Sequence, residues 1–223
     1  MDFIAIIPSR AGSKGIKNKN TTVIKNKKLI EYTFEVVQKS KLIKKVFLTS
    51  DDHKSIRSAA KYKKVKIIIR KKKLSKSNSL ISEVVNDVLI KLKNETSNQT
   101  NFILLQPTSP QRTLKDVEDA IKIFKKNKGK NLISISEPIN HPYEMVKLSN
   151  NKFSLLIKRK KQMNRQSYEK FYFINGSIFI GSIQKFLKTK KFIDNQTIYF
   201  KMDKKHSIDI NDEIDKILVN NFL

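Results

Sequence analysis

Short apolar segments rich in β-branched residues alternate along the chain with longer segments that have the spacing of helices. Five short segments are almost continuously apolar and lie at residues 3–8, 45–50, 65–70, 102–106 and 132–136. Such runs are typical of strands that are buried on both faces of a parallel sheet. The segments between them place apolar residues three and four positions apart, most clearly in 81–92 and 113–124. This alternation predicts an α/β fold with three layers, in which helices cover both faces of a mostly parallel, Rossmann-like sheet.

The stretch 137–173 interrupts this rhythm. It is polar and basic, and it ends in the aromatic run YEKFYF. We interpret it as an arm inserted within a single domain that covers residues 1–223. A further strand is predicted at 177–181, and the apolar spacing of 212–223 predicts a closing helix.

The chain carries a large excess of positive charge. Its 223 residues include 47 Lys and Arg but only 20 Asp and Glu, which gives a net charge of +27. Such a field favours polyanions, namely nucleic acid, an anionic membrane surface or phosphorylated small molecules. The basic residues lie in short scattered clusters, so we favour a diffuse solvated distribution over a dedicated nucleic-acid surface.

Composition disfavours several kinds of site and location. The chain has no Cys, which excludes thiolate nucleophiles and Cys-ligated zinc. Its three histidines, at 53, 141 and 206, are too far apart in sequence for the usual His pairs of metal sites. No stretch approaches the ~18 apolar residues of a membrane span, and the first apolar run is too short for a signal peptide. We expect a soluble, cytoplasmic protein.

The loop that follows the first predicted strand, SRAGSKGIKNKN, combines glycines with basic side chains. It matches neither of the standard glycine-rich phosphate motifs. Gly12 and Gly15 nevertheless let backbone N–H groups approach an anion, and Arg10, Lys14 and Lys19 can add positive charge. A phosphate-binding loop and a solvated basic turn both remain open from these residues alone.

Polar side chains also follow the other predicted strands. Arg70 follows the third strand and Gln106 the fourth, while Asp51 and Asp52 follow the second. Ligands of such sheets bind beyond the carboxyl ends of the strands, where a side-chain amide can donate and accept hydrogen bonds to a polyhydroxylated ligand. The two aspartates are suited either to metal binding or to capping the next helix.

The segment HSIDIND near the end of the chain alternates polar and apolar residues. An extended path would place Ser207, Asp209 and Asn211 on one face. Spaced oxygen ligands of this kind suit Mg²⁺ that also binds substrate phosphates. Asn211 is equally suited to be the N-cap of the closing helix.

Six motifs occur together in order: SRAGSKGIKNKN, LTSDD, LQPTSPQRT, Arg165-Gln166, Asn175-Gly176 and SIDIN. Together they resemble the CMP-sialate synthetases, also called acylneuraminate cytidylyltransferases, a family that includes bacterial legionaminate and pseudaminate cytidylyltransferases. The resemblance covers nearly the whole chain. It implies a Rossmann-like nucleotidyltransferase fold and a homodimer formed through the 137–173 arm.

The resemblance also implies a reaction. CMP would pass from CTP to the anomeric hydroxyl of a nine-carbon 2-keto acid sugar, with release of pyrophosphate and with Mg²⁺ as the cofactor. Positioning and charge neutralisation carry most of such catalysis, so a site rich in Arg, Lys and a metal ion is chemically adequate.

The resemblance assigns roles by position. The catalytic residues would be Arg10, Lys14, Lys19 and Asp209. The nucleotide-binding residues would be Ser13, Gly15, Asn20 and Arg70. The sugar-binding residues would be Gln106, Arg165, Gln166, Asn175 and Gly176. The metal ligands would be Asp209 and Asn211.

Two departures from the family pattern concern substrate and metal. Asn211 stands where the family has a second Asp, and Glu144 follows His141-Pro142 where the sialate enzymes have Lys. A neutral amide weakens Mg²⁺ binding, and an acidic residue near the sugar would repel its carboxylate. Legionaminic and pseudaminic acids are therefore alternatives to sialic acid. A relative that binds nucleotide with little turnover, and a basic nucleic-acid-binding protein, are the other hypotheses.

Overall fold

The computed structural model of the chain describes residues 2–12, 15–97, 99–158 and 164–223. The strands are β1 (Phe3–Ser9), β2 (Val23–Ile24), β3 (Lys27–Lys28), β4 (Ile43–Ser50), β5 (Val65–Ile69), β6 (Asn101–Leu105), β7 (Leu132–Ser136), β8 (Val146–Ser149), β9 (Lys152–Leu155), β10 (Phe173–Ser182) and β11 (Ile198–Lys201). The α-helices are α1 (Leu29–Lys39), α2 (His53–Ala59), α3 (Ile81–Lys91), α4 (Leu114–Lys126), α5 (Ile183–Thr189) and α6 (Glu213–Phe222).

Seven strands form one sheet in the order β11-β7-β10-β6-β1-β4-β5. Strand β10 runs antiparallel to both of its neighbours, and every other pair in the sheet is parallel. The predicted α/β fold with a mostly parallel sheet is therefore confirmed. In the described residues, the longest α-helix has 13 residues, which is shorter than the ~20 that a bilayer crossing requires.

The central strand β1 shows why the sheet needs helices on both faces. Phe3 and Ile7 point into one buried cluster, which α1 and α4 complete with side chains such as Phe34. Ile4 and Ile6 belong to a second buried cluster, which α3 and α5 complete on the opposite face. Alternate residues of a strand point to opposite faces, so a continuously apolar strand requires two covering layers.

Local signals located most elements correctly. The predicted strands at 3–8, 45–50, 65–70, 102–106 and 132–136 match β1, β4, β5, β6 and β7 to within two residues. The predicted burial of 65–70 on both faces is wrong, because β5 is an edge strand that leaves Ile67 and Ile69 exposed. Thr113 caps α4, and the side chains of Thr113 and Asp116 accept from each other's backbone N–H groups, as the spacing of a capping box predicts. The sequence did not predict α5 or β11, which stand between the last predicted strand and the closing helix.

Two details near the carboxyl terminus differ from the predictions. The N-cap of α6 is Asp212, whose side chain accepts from the N–H of Asp215, so the expected cap at Asn211 is wrong. Asp212 is the preferred N-cap because Asp215, three residues later, completes a capping box with it. The predicted extended path begins only after Ser207, which ends a 3-10 turn and donates from its hydroxyl to the carbonyl of Asp203 at 2.6 Å.

The arm predicted at 137–173 contains a β-hairpin outside the main sheet. Strands β8 and β9 pair with each other alone, and every residue of both strands is exposed. Before and after the hairpin, an aromatic cluster joins His141 and Tyr143 to Tyr168 and Phe171, with ring centroids 4.6 to 5.4 Å apart. This cluster holds together the two ends of the segment that carries the hairpin.

Candidate active site

A cavity of about 370 Å³ lies at the carboxyl edge of the sheet, beyond the ends of β1, β5 and β6. This is where α/β sheets bind their ligands. The residues that line it include seven of those predicted from the sequence: Arg10, Gly15, Lys19, Asn20, Arg70, Gln106 and Asn211. The predicted residues Ser13 and Lys14 lie outside the described part of the chain.

Four cationic residues line this cavity, namely Arg10, Lys19, Arg70 and Lys76. Arg10 follows β1 and donates from Nη1 to the carbonyl of Gly12 at 2.6 Å. Lys19 lies in a 3-10 turn, Lys19–Thr21, and Arg70 follows β5. Cations gathered around one cavity raise the local concentration of anions. The arrangement therefore favours a polyanionic ligand.

Backbone carbonyls hold two of these cations in place. Lys19 Nζ donates to Ile210 O at 2.7 Å, and Arg70 Nη2 donates to Thr49 O at 2.9 Å. Burial lowers the pKa of Lys19 and lowers the pKa of Arg70 to about 10, so Arg70 is charged at neutral pH. Among the described residues, the buried Nε of Arg70 has no hydrogen-bond partner. A ligand oxygen would supply that partner.

The two aspartates after β4 stabilise structure beside the cavity. Asp51 Oδ1 accepts from the backbone N–H of Ala11 at 3.0 Å, which holds the loop after β1. Asp52 is the N-cap of α2 and accepts from the N–H groups of Lys54 and Ser55 at 3.0 and 3.3 Å. Of the two uses that the sequence left open, Asp52 therefore serves as a cap.

The segment 208–211 packs closely against the loops after β1 and β6. Ile210 is fully buried, and its N–H donates to Thr108 O at 2.9 Å. A Cβ atom added to Gly15 would lie only 2.5 Å from the carbonyl oxygen of Asn211. Position 15 therefore requires glycine because two backbones approach each other there.

Asp209 and Asn211 lie side by side next to the cavity. Asn211 Nδ2 donates to Asp209 Oδ2 at 3.1 Å. Burial raises the pKa of Asp209, while its hydrogen bond with Asn211 and the charge of Lys19 act in the opposite direction. The carboxylate therefore stands in an environment that favours acceptance of a proton or a cation.

The donor set beside the cavity can be tested against the needs of Mg²⁺. The described residues contain no group of three or more His, Cys, Asp or Glu that could hold a metal ion. Mg²⁺ also binds through one or two carboxylates together with substrate phosphates and water, and Asp209 fits that role. Asn211 turns its amide nitrogen toward Asp209, so its oxygen becomes a ligand only if the amide turns over.

On the side of β10, Gln106 and Gly176 lie close together. Gly176 has a φ of +71°, and a Cβ at that position would lie 3.6 Å from Gln106 Nε2. Asn175, by contrast, is buried, where its Oδ1 accepts from Ser134 Oγ at 2.5 Å and from the N–H of Ser177 at 3.2 Å. Asn175 therefore holds the turn that brings Gly176 to Gln106, and a sugar contact by its side chain stays a prediction.

Arg112 is a buried residue that the sequence analysis did not assign to the site. Its Nη1 donates to Gln106 O at 3.1 Å and to Ser177 O at 2.8 Å, and its Nη2 donates to Thr33 Oγ1 at 2.7 Å. Burial lowers the pKa of Arg112 to about 10, which leaves it charged at neutral pH. The guanidinium joins the end of β6 to β10 and so positions Gln106. An exposed arginine before a helix would have the same neighbouring residues in the sequence, so only the burial of Arg112 in the structure reveals this role.

Arg165 and Gln166 lie apart from the cavity, in the arm. Arg165 is exposed and makes a bidentate ion pair with Glu144, with Nε to Oε1 at 2.7 Å and Nη2 to Oε2 at 2.6 Å. The unusual Glu144 is therefore neutralised within the arm. Gln166 is exposed as well, and the sugar contacts assigned to both residues stay predictions.

A family described as "Cytidylyltransferase" matches residues 4–220. The chain belongs to the cytidylyltransferase family. The N-acylneuraminate cytidylyltransferase of Streptococcus agalactiae serotype V is 29% identical over 221 residues, which cover 98% of this chain and 52% of that protein. The chain thus spans about half the length of the N-acylneuraminate cytidylyltransferases it matches.

Other members of the cytidylyltransferase family are matched over almost their whole length. The CMP-N,N'-diacetyllegionaminic acid synthase of Legionella pneumophila is 28% identical over 100% of this chain and 97% of that protein. The protein of the same name from Campylobacter jejuni is 31% identical, over 96% of this chain and 92% of that protein. The family resemblance expected from the six motifs is confirmed.

Solved structures extend the comparison to the fold. A CMP:2-keto-3-deoxy-manno-octonic acid synthetase complexed with CTP superposes over 100% of both chains, with a TM-score of 0.70 and 13% identity. The 2-C-methyl-D-erythritol 4-phosphate cytidylyltransferase of Francisella tularensis gives a TM-score of 0.72 at 14% identity. At these identities the likeness shows the fold alone, and it confirms the predicted nucleotidyltransferase fold.

Proposed function

We propose that this chain transfers CMP from CTP to the anomeric hydroxyl of a nine-carbon 2-keto acid sugar and releases pyrophosphate. The observation that carries the proposal is the convergence of Arg10, Lys19 and Arg70 on one cavity at the carboxyl edge of the sheet. Two relatives that match this chain over almost their whole length are named CMP-N,N'-diacetyllegionaminic acid synthase.

The cations would act mainly by position and charge. Lys19 and Arg10 would bind the triphosphate and neutralise the charge that develops on the departing pyrophosphate. Arg70, whose buried Nε is unpaired among the described residues, would donate a hydrogen bond to an oxygen of the nucleotide. Backbone carbonyls already hold Lys19 and Arg70, so little reorganisation is needed when the ligand binds.

The sugar would lie on the side of Gln106 and Gly176. The absence of a side chain at Gly176 leaves room beside the Gln106 amide, which can donate and accept hydrogen bonds to sugar hydroxyls. Arg112 would hold Gln106 through its backbone. A contact between Arg165 and the sugar carboxylate would require Arg165 to exchange its ion pair with Glu144 for the ligand.

Asp209 would hold Mg²⁺, together with the phosphate oxygens of CTP and with Asn211 once its amide has turned. When bound, Mg²⁺ would supply further neutralisation of phosphate charge. The second oxygen of the Asp209 carboxylate would accept the proton of the attacking hydroxyl.

Replacement of Asp209 by Asn is expected to lower kcat by about 10²- to 10³-fold and to change how stability depends on pH. The folded state keeps the Asp209 proton to higher pH than the unfolded chain does, because burial raises its pKa above 3.8. The contribution of Asp209 to the free energy of unfolding therefore falls as pH rises from 3.8 through the raised pKa. We expect Asp209→Asn to gain stability relative to wild type between pH 3 and pH 7, measured by urea unfolding in metal-free buffer. A constant difference across this range would contradict the prediction.

The β8–β9 hairpin is proposed to form the homodimer interface. Val146 pairs with Leu155 and Leu148 with Phe153, so these four apolar side chains share one face. All four are exposed, Leu148 by 82% and Phe153 by 72%. Exposed apolar surface of this kind marks an interaction site.

A variant with Leu148→Lys and Phe153→Lys is expected to be a monomer, with a mass near 25.9 kDa by light scattering. Lysine at these positions would place like charges in the proposed interface, where they repel. A matched control replaces Lys147 and Ser154, the cross-strand pair on the other face of the hairpin, and should stay dimeric. A wild-type chain that is already monomeric, or a lysine variant that stays dimeric, contradicts this interface.

The proposed reaction is tested by pyrophosphate release from CTP and Mg²⁺ with a panel of sialic, legionaminic and pseudaminic acids. We expect release with at least one sugar and none without sugar. Absence of release with every sugar, together with absence of CTP binding, would overturn the proposal. CTP binding without release would instead support the nucleotide-binding relative with little turnover. Tight, salt-dependent binding of DNA or RNA without CTP binding would support the nucleic-acid hypothesis.

The cytoplasmic location stays a prediction.

A further inference from the structure

A chain of hydrogen bonds leads from the cavity to the amino-terminal end of α2. Asn20 lines the cavity, and its Nδ2 donates to Ser9 Oγ at 3.0 Å. Ser9 Oγ lies 2.8 Å from Ser55 Oγ, and Ser55 Oγ donates to Asp52 Oδ2 at 2.7 Å. Ser9 and Ser55 are both buried. We call these four residues the Asn20 relay.

The donors in the relay can point in only one direction. A carboxylate only accepts, so the single hydroxyl proton of Ser55 lies toward Asp52. Ser55 Oγ must then accept from Ser9, whose own proton is used in that contact. Ser9 Oγ is left as an acceptor, so the group of Asn20 that faces it is the NH₂.

This order fixes which end of the Asn20 amide stays available. Oδ1 is the other end, and among the described residues it has no hydrogen-bond partner although it is buried. A buried carbonyl oxygen without a partner is costly, and a donor from a ligand removes that cost. Nδ2, in contrast, is already satisfied by Ser9.

We propose that Ser9, Ser55 and Asp52 are positioning residues that hold the Asn20 amide with its oxygen as an acceptor for the nucleotide. The donor on the ligand is a ribose hydroxyl or the exocyclic amino group of cytosine. The inference rests on the proposed function, because it takes CTP as the ligand of the cavity.

The relay gives the LTSDD motif a role in positioning the site. Its Asp52 carboxylate sets the direction of the relay while it caps α2. Its neighbour Asp51 holds the backbone of Ala11. Ser50 in turn accepts from the N–H of Asp52 at 3.0 Å. Both aspartates therefore act on the loop and turn that carry Arg10 and Asn20, and neither lines the cavity.

Ser55→Ala tests the proposal. Without the Ser55 hydroxyl, the proton of Ser9 is free to turn toward Asn20, and the amide can reverse so that its NH₂ group faces the ligand donor. We expect the dissociation constant for CTP, measured by calorimetry, to rise about 5- to 150-fold. Ser58→Ala is the matched control, since Ser58 is an equally buried serine of the same helix outside the relay.

Nucleotide analogues separate positioning from general damage. 2′-DeoxyCTP, 3′-deoxyCTP and UTP each lack one of the candidate donors. One of these analogues lacks the donor that contacts Asn20. Wild type and Ser55→Ala should bind that analogue with almost equal dissociation constants. Equal weakening for CTP and all three analogues, or CTP affinity equal to that of wild type, overturns the relay.

A double-mutant cycle supplies the second measurement. Because Ser55 acts through the amide, adding Ser55→Ala to Asn20→Ala should cause no further loss of CTP affinity. Additive losses would contradict the proposal. Ser9→Ala breaks the same relay and replaces Ser55→Ala if the latter unfolds. Wild type is titrated first: failure to bind CTP counts against the proposed function, whereas normal binding with a silent Ser55→Ala counts against the relay alone.

Discussion

Replacement of Lys19 by alanine is expected to lower kcat/KM for CTP by about 10²- to 10³-fold. The reason is that the variant lacks one preorganised positive charge, which would stabilise the negative charge that develops in the transition state. Lys19 lines the cavity, and its Nζ is fixed by the carbonyl of Ile210. The measurement is the steady-state rate of pyrophosphate release with the sugar at saturation.

Lys17 provides the matched control for this prediction. It lies two residues away in the same loop, is exposed, and does not line the cavity. Lys17→Ala should therefore leave kcat/KM almost unchanged while removing the same charge from the chain. Equal losses in the two variants would mean that the overall charge of +27 attracts CTP and that Lys19 has no specific role.

Replacement of Gly15 by alanine is expected to lower the free energy of unfolding by about 1–3 kcal/mol, which is the usual cost of overpacking. It is also expected to lower kcat by about 10²-fold, which is the usual effect of displacing site residues by about 1 Å. The added Cβ would lie 2.5 Å from the backbone oxygen of Asn211. A backbone oxygen cannot rotate away as a flexible side chain can. The loop with Lys19 and the segment with Asp209 would therefore separate, and both changes would be seen by urea unfolding and steady-state kinetics.

Gly129→Ala is the control for the general effect of adding a methyl group to a glycine. Gly129 lies between α4 and β7 and has no atom within 4 Å of an added Cβ, although its φ is +81°. It should lose stability through backbone strain and keep full kcat. A Gly15→Ala variant with wild-type kcat would show that the contact with Asn211 relaxes without moving the site.

Much of the fold was predictable because its signals are local. The apolar runs at 3–8 and 102–106 had to be central strands, since few other elements bury every side chain of a five-residue segment. The pair Thr113 and Asp116 marked the start of α4 by spacing alone. The edge strand β11 was missed because a strand of only four residues, half-exposed to solvent, carries little periodic signal.

The candidate site was predictable in part for the same reason. Residues at the carboxyl ends of parallel strands meet at one edge of the sheet, which is why Arg10, Arg70 and Gln106 line one cavity. Arg165 was also predicted for the site, yet it pairs with Glu144 in the arm. Spacing along the chain carries no information about which of two charged partners a long, exposed side chain reaches.

The sequence by itself determined the α/β class, the strand ends and the family, because periodicity and motif order are properties of neighbouring residues. Only the tertiary structure decided what the side chains at those strand ends do. It placed Arg112 behind Gln106, used Asp52 to orient Asn20 through two serines, and brought Asn211 against Gly15. Two of these contacts, Ser9 with Ser55 and Gly15 with Asn211, join residues 46 and 196 positions apart along the chain. Their energies arise from desolvation and hydrogen-bond direction, which exist only once the chain has folded.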